Sequence, residues 1–103
     1  HQAIAFYIAE MAMAVDAARL AVWRAVHQLN IGRQVGWHAA AAYQEAAQQS
    51  RFVTDWGLQI LGGHGYIKDH PVEKWMREAQ VLTTIWGGVD QADLDACDLV
   101  LAE

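Results

Sequence analysis

Apolar residues recur every three or four positions from His1 to Asn30. Ile4, Ile8, Met11, Val15, Ala18, Val22, Val26 and Leu29 form one stripe, and Gln2, Glu10, Asp16, Arg24 and Gln28 lie opposite. This period predicts a long amphipathic helix. Asn30-Ile31-Gly32 ends it, with Gly32 suited to a left-handed cap. The same period predicts a second helix over Gln34 to Leu61, with the stripe Ala39, Ala42, Ala46, Gln49, Val53, Trp56 and Ile60. Its alanines let a neighbouring helix approach closely, and Gln49 needs a hydrogen-bond partner if it is buried. Gly62-Gly63-His64-Gly65 stops this helix. A short third helix is expected to begin at Pro71, whose fixed φ suits the first helical position, and to run through Ala79. Val81 to Trp86 is β-branched and aromatic and reads as an extended or irregular connector. After Gly87-Gly88 a last helix runs from about Asp90 to the end. Asp90 and Asp93 sit near its positive pole, and Leu94, Cys97 and Leu101 form its stripe. Helices joined by short loops imply an all-α, antiparallel up-down bundle, one small enough to need another helix or subunit to close its core.

Composition narrows the class. With 103 residues, the chain is one domain, and 54% of it is apolar. Five tryptophans are expected in a core or a subunit interface. The net charge of −5, with the cations Arg19, Arg24, Arg33, Arg51, Lys68, Lys74 and Arg77 scattered, excludes a nucleic-acid footprint. No apolar run is long enough to span a membrane. The single cysteine, Cys97, excludes an internal disulfide and fits a reducing compartment. With no signal peptide visible, a cytoplasmic location is expected. The chain opens at His1, inside a helical pattern, and is expected to be a piece of a longer protein.

Few residues stand out chemically. His1, His27, His38, His64 and His70 lack the paired spacing of metal ligands, so no metal site is expected. Cys97, on the apolar stripe, reads as a buried, inert thiol. Asp93, Asp95 and Asp98 read as a solvated face. Gly62-Gly63-His64-Gly65 reads first as a helix stop and second as a place where backbone approaches a phosphate or ribose. It is not a dinucleotide-binding fingerprint, because it closes a helix instead of opening one. Gly87-Gly88 precedes a helix start, where backbone N–H groups can face an anion.

The order of these pieces resembles one family. His1-Gln2-Ala3-Ile4-Ala5-Phe6 followed by Ala9-Glu10-Met11-Ala12-Met13, then Gln59-Ile60-Leu61-Gly62-Gly63-His64-Gly65-Tyr66, then Pro71-Val72-Glu73-Lys74 with Met76-Arg77, then Ile85-Trp86-Gly87-Gly88, are similar to four successive motifs of the acyl-CoA dehydrogenases. The resemblance covers nearly the whole chain; Ile31 to Ser50 matches only as a helix. It implies the carboxy-terminal four-helix bundle of that family without its first helix. It also implies a homo-oligomer, dimer or tetramer, with FAD lying across a subunit interface. By position, His1 and Gln2 match a pair that approaches FAD. Gln59, Ile60, Leu61, Gly62 and Gly63 match the turn that holds the ADP part of a neighbouring subunit's FAD. Gly88 and Gln91 match positions beside the flavin, and Trp86 and Gly87 match positions next to the substrate.

Members of the family oxidise an acyl-CoA thioester to its 2,3-enoyl form and pass electrons to an electron-transfer flavoprotein or a similar acceptor. A carboxylate takes the α-proton while the β-hydrogen leaves as hydride to the flavin. Many members keep that carboxylate where this chain has Gly87, so no catalytic residue is assigned here. Val89 likewise replaces a hydroxyl residue. Either the base comes from the helix preceding this segment, as in some branches, or the protein is a non-catalytic structural or partner subunit. Val81-Leu82-Thr83-Thr84 is one residue longer than the common pattern.

Overall fold

The computed structural model describes residues 1–102. It contains four helices: α1 (Gln2–Asn30), α2 (Gly36–Leu61), α3 (Val72–Leu82) and α4 (Gly88–Ala102). Two 3₁₀ turns, Gly62–Tyr66 and Ile85–Gly87, complete the order. Glu103, expected as the end of the last helix, lies outside the described residues. The helices make an elongated body of 49 × 27 × 21 Å, its length set by α1.

The α1–α2 connection is short because Gly32 allows it. With φ at 72°, it lets Gly32 N–H donate to Leu29 C=O at 3.0 Å and Arg33 N–H to Gln28 C=O at 3.0 Å. This is a Schellman closure, and it satisfies carbonyls the helix end would otherwise leave free. The chain reverses, and α2 runs back against α1. Tyr7, near the start of α1, stacks on Trp56, near the end of α2, with ring centroids 3.5 Å apart. Around α2, which packs against α1, α3 and α4, the bundle is antiparallel and all-helical.

The core is made of small side chains. The buried apolar residues are Ala14, Ala25, Ala42, Ala47, Leu58, Ala79 and Ala92, and no large side chain among the described residues is fully buried. Tyr7, Met11, Ala14, Ala18, Ala21, Ala25 and Gln28 are the buried or half-buried positions of α1. Their alternating steps of four and three residues mark the face packed on α2. This corrects the expected stripe. Only Met11 and Ala18 belong to both, while Ile4, Ile8, Val15, Val22, Val26 and Leu29 stay exposed. Alanine on both surfaces brings the helix axes close, so the larger aliphatics fall outside the contact. Phe6, Met13 and Leu20 lie on a further exposed side, among the polar residues of α1.

α4 repeats the pattern. Val89, Ala92 and Ala96 are its inward positions, and Leu94 and Leu101 are exposed. Cys97 is also exposed, contrary to its expected burial. Trp23, Trp75 and Trp86 are exposed, with Trp37 and Trp56 half-buried. None of the tryptophans belongs to an internal core. Gln49 is half-buried and donates from Nε2 to Glu45 Oε1 at 3.0 Å, so the amide in the α2 stripe finds its partner on its own helix.

Pro71 sits one residue outside α3, and its carbonyl accepts from Trp75 N–H at 3.0 Å. The helix then runs past Ala79 through Leu82, where the β-branched and aromatic residues suggested an extended or irregular connector. Side chains explain the difference. Thr83 Oγ1 donates to Gln80 C=O and Thr84 Oγ1 to Val81 C=O, each at 2.7 Å. From α2, Tyr43 Oη donates to Leu82 C=O at 3.0 Å and to Ile85 C=O at 2.9 Å. These bonds satisfy the carbonyls at the helix end and turn the chain into α4 without a strand.

Candidate functional site

The candidate residues form two groups. The first lies where α1 begins and α2 ends, which the antiparallel pairing puts at one end of the bundle. His1 and Gln2 are exposed there, as are Gln59, Leu61, Gly62 and Gly63, while Ile60 is half-buried. Gly62 ends α2 with φ 59° and ψ −134°, and its N–H donates to Gln59 C=O.

The three glycines of this turn differ in why they are glycine. Gly62 has a positive φ, which a side chain would strain. Gly65 is buried, and a Cβ there would lie 2.8 Å from Leu58 C=O and 2.9 Å from Leu58 Cδ1. Gly63 has neither constraint. Its φ is outside the left-handed region, and nothing lies within 4 Å of where its Cβ would stand. The chain itself places no demand for glycine at 63, and the main chain there is bare and open.

The second group sits at the turn between α3 and α4. Trp86 has φ 52° and ψ 35°, and Gly87 and Gly88 follow with φ 91° and 82°. Three successive left-handed residues turn the chain sharply, and Trp86 is the only non-glycine residue with positive φ among the described residues. A left-handed tryptophan is strained, and strain of this kind gathers at functional turns. The residue is 85% exposed, and its indole meets the Tyr43 ring edge-on, with centroids 6.1 Å apart. Both rings border an open groove of about 560 Å³ between α2 and α4, lined also by Ala39, Ala40, Ala92 and Asp95. Gln91 donates from Nε2 to Asp95 Oδ1 at 2.7 Å.

Because Tyr43 holds the second group and Gln59 begins the first, the rise of α2 separates them by about 24 Å. The fold thus brings His1 and Gln2 toward Gln59–Gly63, and Trp86 and Gly87 beside Gly88 and Gln91, but does not bring the two groups together. Sequence reasoning did not single out Tyr43, because nothing in the helical period distinguishes a residue that clamps a distant turn. The Gln91–Asp95 bond did leave a signal, a polar pair four residues apart on a helix.

A family model described as acyl-CoA dehydrogenase, C-terminal domain, matches residues 1–97. The acryloyl-CoA reductase (NADH) of Anaerotignum propionicum is 39% identical over 90 residues, which are 87% of this chain and 23% of that protein. The solved butyryl-CoA dehydrogenase of Megasphaera elsdenii superposes with a TM-score of 0.93 at 31% identity, over 98% of this chain and 26% of that one. A chain from a structural study of the electron transferring flavoprotein of Acidaminococcus fermentans and flavin-based electron bifurcation gives 0.94 at 32% identity, over 100% and 27%. The chain thus spans about a quarter of the length of the relatives it matches. The motif order, the all-helical bundle around α2 and these likenesses agree: the chain belongs to the acyl-CoA dehydrogenase family, as its C-terminal helical domain.

Proposed function

We propose that this domain works within a FAD-dependent acyl-CoA dehydrogenase that oxidises an acyl-CoA thioester to the 2,3-enoyl-CoA. Gly63 carries the reading. A glycine that its own chain does not require, on an exposed turn at the family's nucleotide-binding position, suits the close approach of an outside ligand. In this reading the backbone of Gln59–Gly63 receives the ADP part of a FAD held by a neighbouring subunit, with His1 and Gln2 at the same end. Gly88 and Gln91 stand beside a flavin, and Trp86 walls the acyl pocket. The 24 Å between the groups fits two different cofactors in a dimer or tetramer, and the exposed apolar sides of α1 fit the further helix and subunits such an assembly supplies. FAD supplies the acceptor for the β-hydride. Gly87 has no group to take the α-proton, so the base comes from another part of the protein. Electrons leave to an electron-transfer flavoprotein or a similar acceptor, in the cytoplasm.

The intact protein is expected to purify yellow and to reduce a dye with an acyl-CoA. Gly63→Val is expected to lose bound FAD while the flavin-free forms of variant and parent melt together, since no atom of this chain lies within 4 Å of the added Cβ. A colourless protein that takes up no added FAD, or a Gly63→Val variant that binds FAD normally, refutes the reading. The pairing of Gly87 with Val89 favours a second one, a non-catalytic partner subunit. It predicts flavin uptake without dye reduction by any acyl-CoA.

A further inference from the structure

The cations of this chain differ in what they face. Arg19, Lys74 and Arg77 each pair with a carboxylate three or four residues away on the same helix, Asp16, Glu78 and Glu73. Arg24 and Arg33 pair with no acid among the described residues. One lies on α1 and the other in the α1–α2 turn, yet both border one open cleft of about 400 Å³, lined also by Gln28, Gln34, Trp37 and His38. No carboxylate lines it, although the chain as a whole carries a net charge of −5. These donors are held in place. The Schellman bond from Arg33 N–H to Gln28 C=O, at 3.0 Å, sets the turn residue against α1. The Arg24 guanidinium lies over the Trp37 ring, 5.4 Å from its centroid, and the His38 ring stacks on Trp37 with centroids 3.7 Å apart. A guanidinium resting on a ring face keeps its N–H groups free. Among the described residues, the side chains of Arg24, Gln28, Arg33, Gln34 and His38 make no hydrogen bond.

We propose that this cleft binds a small molecule carrying at least two phosphoryl groups. Guanidinium forks take phosphoryl oxygens in pairs, so Arg24 and Arg33 hold the charge. Gln28 and Gln34 add amide donors, and Trp37 aims Arg24. The volume lies within the range of about 300–1,000 Å³ typical of small-molecule sites. Donors from α1, the turn and α2 converge into one concavity, which suits a compact polyanion better than the spread carboxylates of an acidic protein surface. The site is separate from both groups of candidate residues. It shares no lining residue with the Trp86 groove, and the rise of α2 puts Trp37 about 38 Å from Gly62, beyond the ADP part of a FAD at the glycine turn.

The test is calorimetric titration of the intact protein with inorganic pyrophosphate at low ionic strength. Saturable binding of one pyrophosphate per chain is expected, weakening as salt screens the exposed charges. Arg24→Gln and Arg33→Gln are each expected to weaken it about tenfold or more, the loss of one charge-assisted hydrogen bond, with the helix content of the parent by circular dichroism. Arg51→Gln supplies the control, because Arg51 is also exposed but stands in a different cleft beside Asp55, Asp90 and Asp93; it should bind as the parent does. Orthophosphate is expected to bind about tenfold more weakly than pyrophosphate, having one phosphoryl group for two guanidiniums. No saturable heat, full affinity in both cleft variants, an equal loss in Arg51→Gln, or orthophosphate binding as tightly as pyrophosphate overturns the proposal. A polyglutamate peptide that binds where pyrophosphate does not overturns it in favour of an acidic partner. A protein that takes up no FAD fails the proposed function, while the same titration and variants still decide this site.

Discussion

Replacing Tyr43 with phenylalanine tests the link between α2 and the Trp86 turn. The hydroxyl has a single proton, shared between Leu82 C=O at 3.0 Å and Ile85 C=O at 2.9 Å. Tyr43→Phe therefore removes about one net hydrogen bond, not two, and the ring stays in place. A net bond is worth about 1 kcal/mol, and in a chain of this size that lowers the thermal midpoint by about 4 °C. Tyr43→Ala also removes the half-buried ring and its edge-on contact with Trp86, which adds about 2 kcal/mol. Circular dichroism melts of the two variants give the magnitudes. Amide hydrogen exchange gives the location, because the N–H groups of Trp86, Gly87 and Gly88 should exchange faster in Tyr43→Phe while those of α1 do not. The reasoning fails if Tyr43→Phe melts within 1 °C of the parent, or if it loses as much as Tyr43→Ala.

Two neighbouring residues test the packed face of α1. Ala14→Leu, on the buried side, is expected to cost about 2 kcal/mol in urea unfolding, whereas Val15→Asn, on the exposed stripe, is expected to change stability by less than about 0.5 kcal/mol; the reverse order would restore the stripe read from sequence. Gly65→Ala is expected to cost about 2 kcal/mol, because its Cβ would collide with the backbone carbonyl of Leu58, which cannot move aside as the Leu58 Cδ1 it also meets can; an unchanged melting temperature contradicts this. On α3, the hydrogen bond from Arg77 to Glu73, at 2.8 Å, holds the Glu73 carboxyl below its usual pKa, helped by the charges of Arg77 and Lys68 against partial desolvation. A depressed folded-state pKa stabilises above the unfolded value and loses that contribution as pH falls through the folded one. Glu73→Gln should therefore be less stable than the parent at neutral pH, and the difference should close in acid below the usual carboxylate range; a gap that persists there refutes the pairing.

Helix number, order and most boundaries are legible in the sequence, because period, glycine and proline are local signals. The two turns are legible because a motif survives as a string. The face each helix buries is harder to read. In α1, Ile4, Val15 and Val22 outrank Ala14, Ala21 and Ala25 in hydrophobicity, yet the alanines are packed on α2. Hydrophobicity ranks how much a residue gains from burial, whereas close helix packing selects for how little room it takes. The α3–α4 connection misled for a related reason. Val81 to Trp86 has strand-like residues, but Thr83, Thr84 and Tyr43 satisfy the carbonyls of a helical ending. Two of those bonds come from a residue about forty positions earlier, and no local window contains it.

One helix ends in the first group of candidate residues and holds the second through Tyr43, and this makes α2 a ruler. Loops can lengthen without disturbing the distance between the Tyr43 clamp and the Gly62–Gly63 terminus, but α2 cannot. One residue inserted between Tyr43 and Gln59 would move one end by about 1.5 Å and rotate it by about 100°, turning the glycine terminus away from whatever it faces. Length changes across this domain should therefore fall outside the stretch from Tyr43 to Leu61, as the extra residue of Val81-Leu82-Thr83-Thr84 does, and that stretch should keep its count.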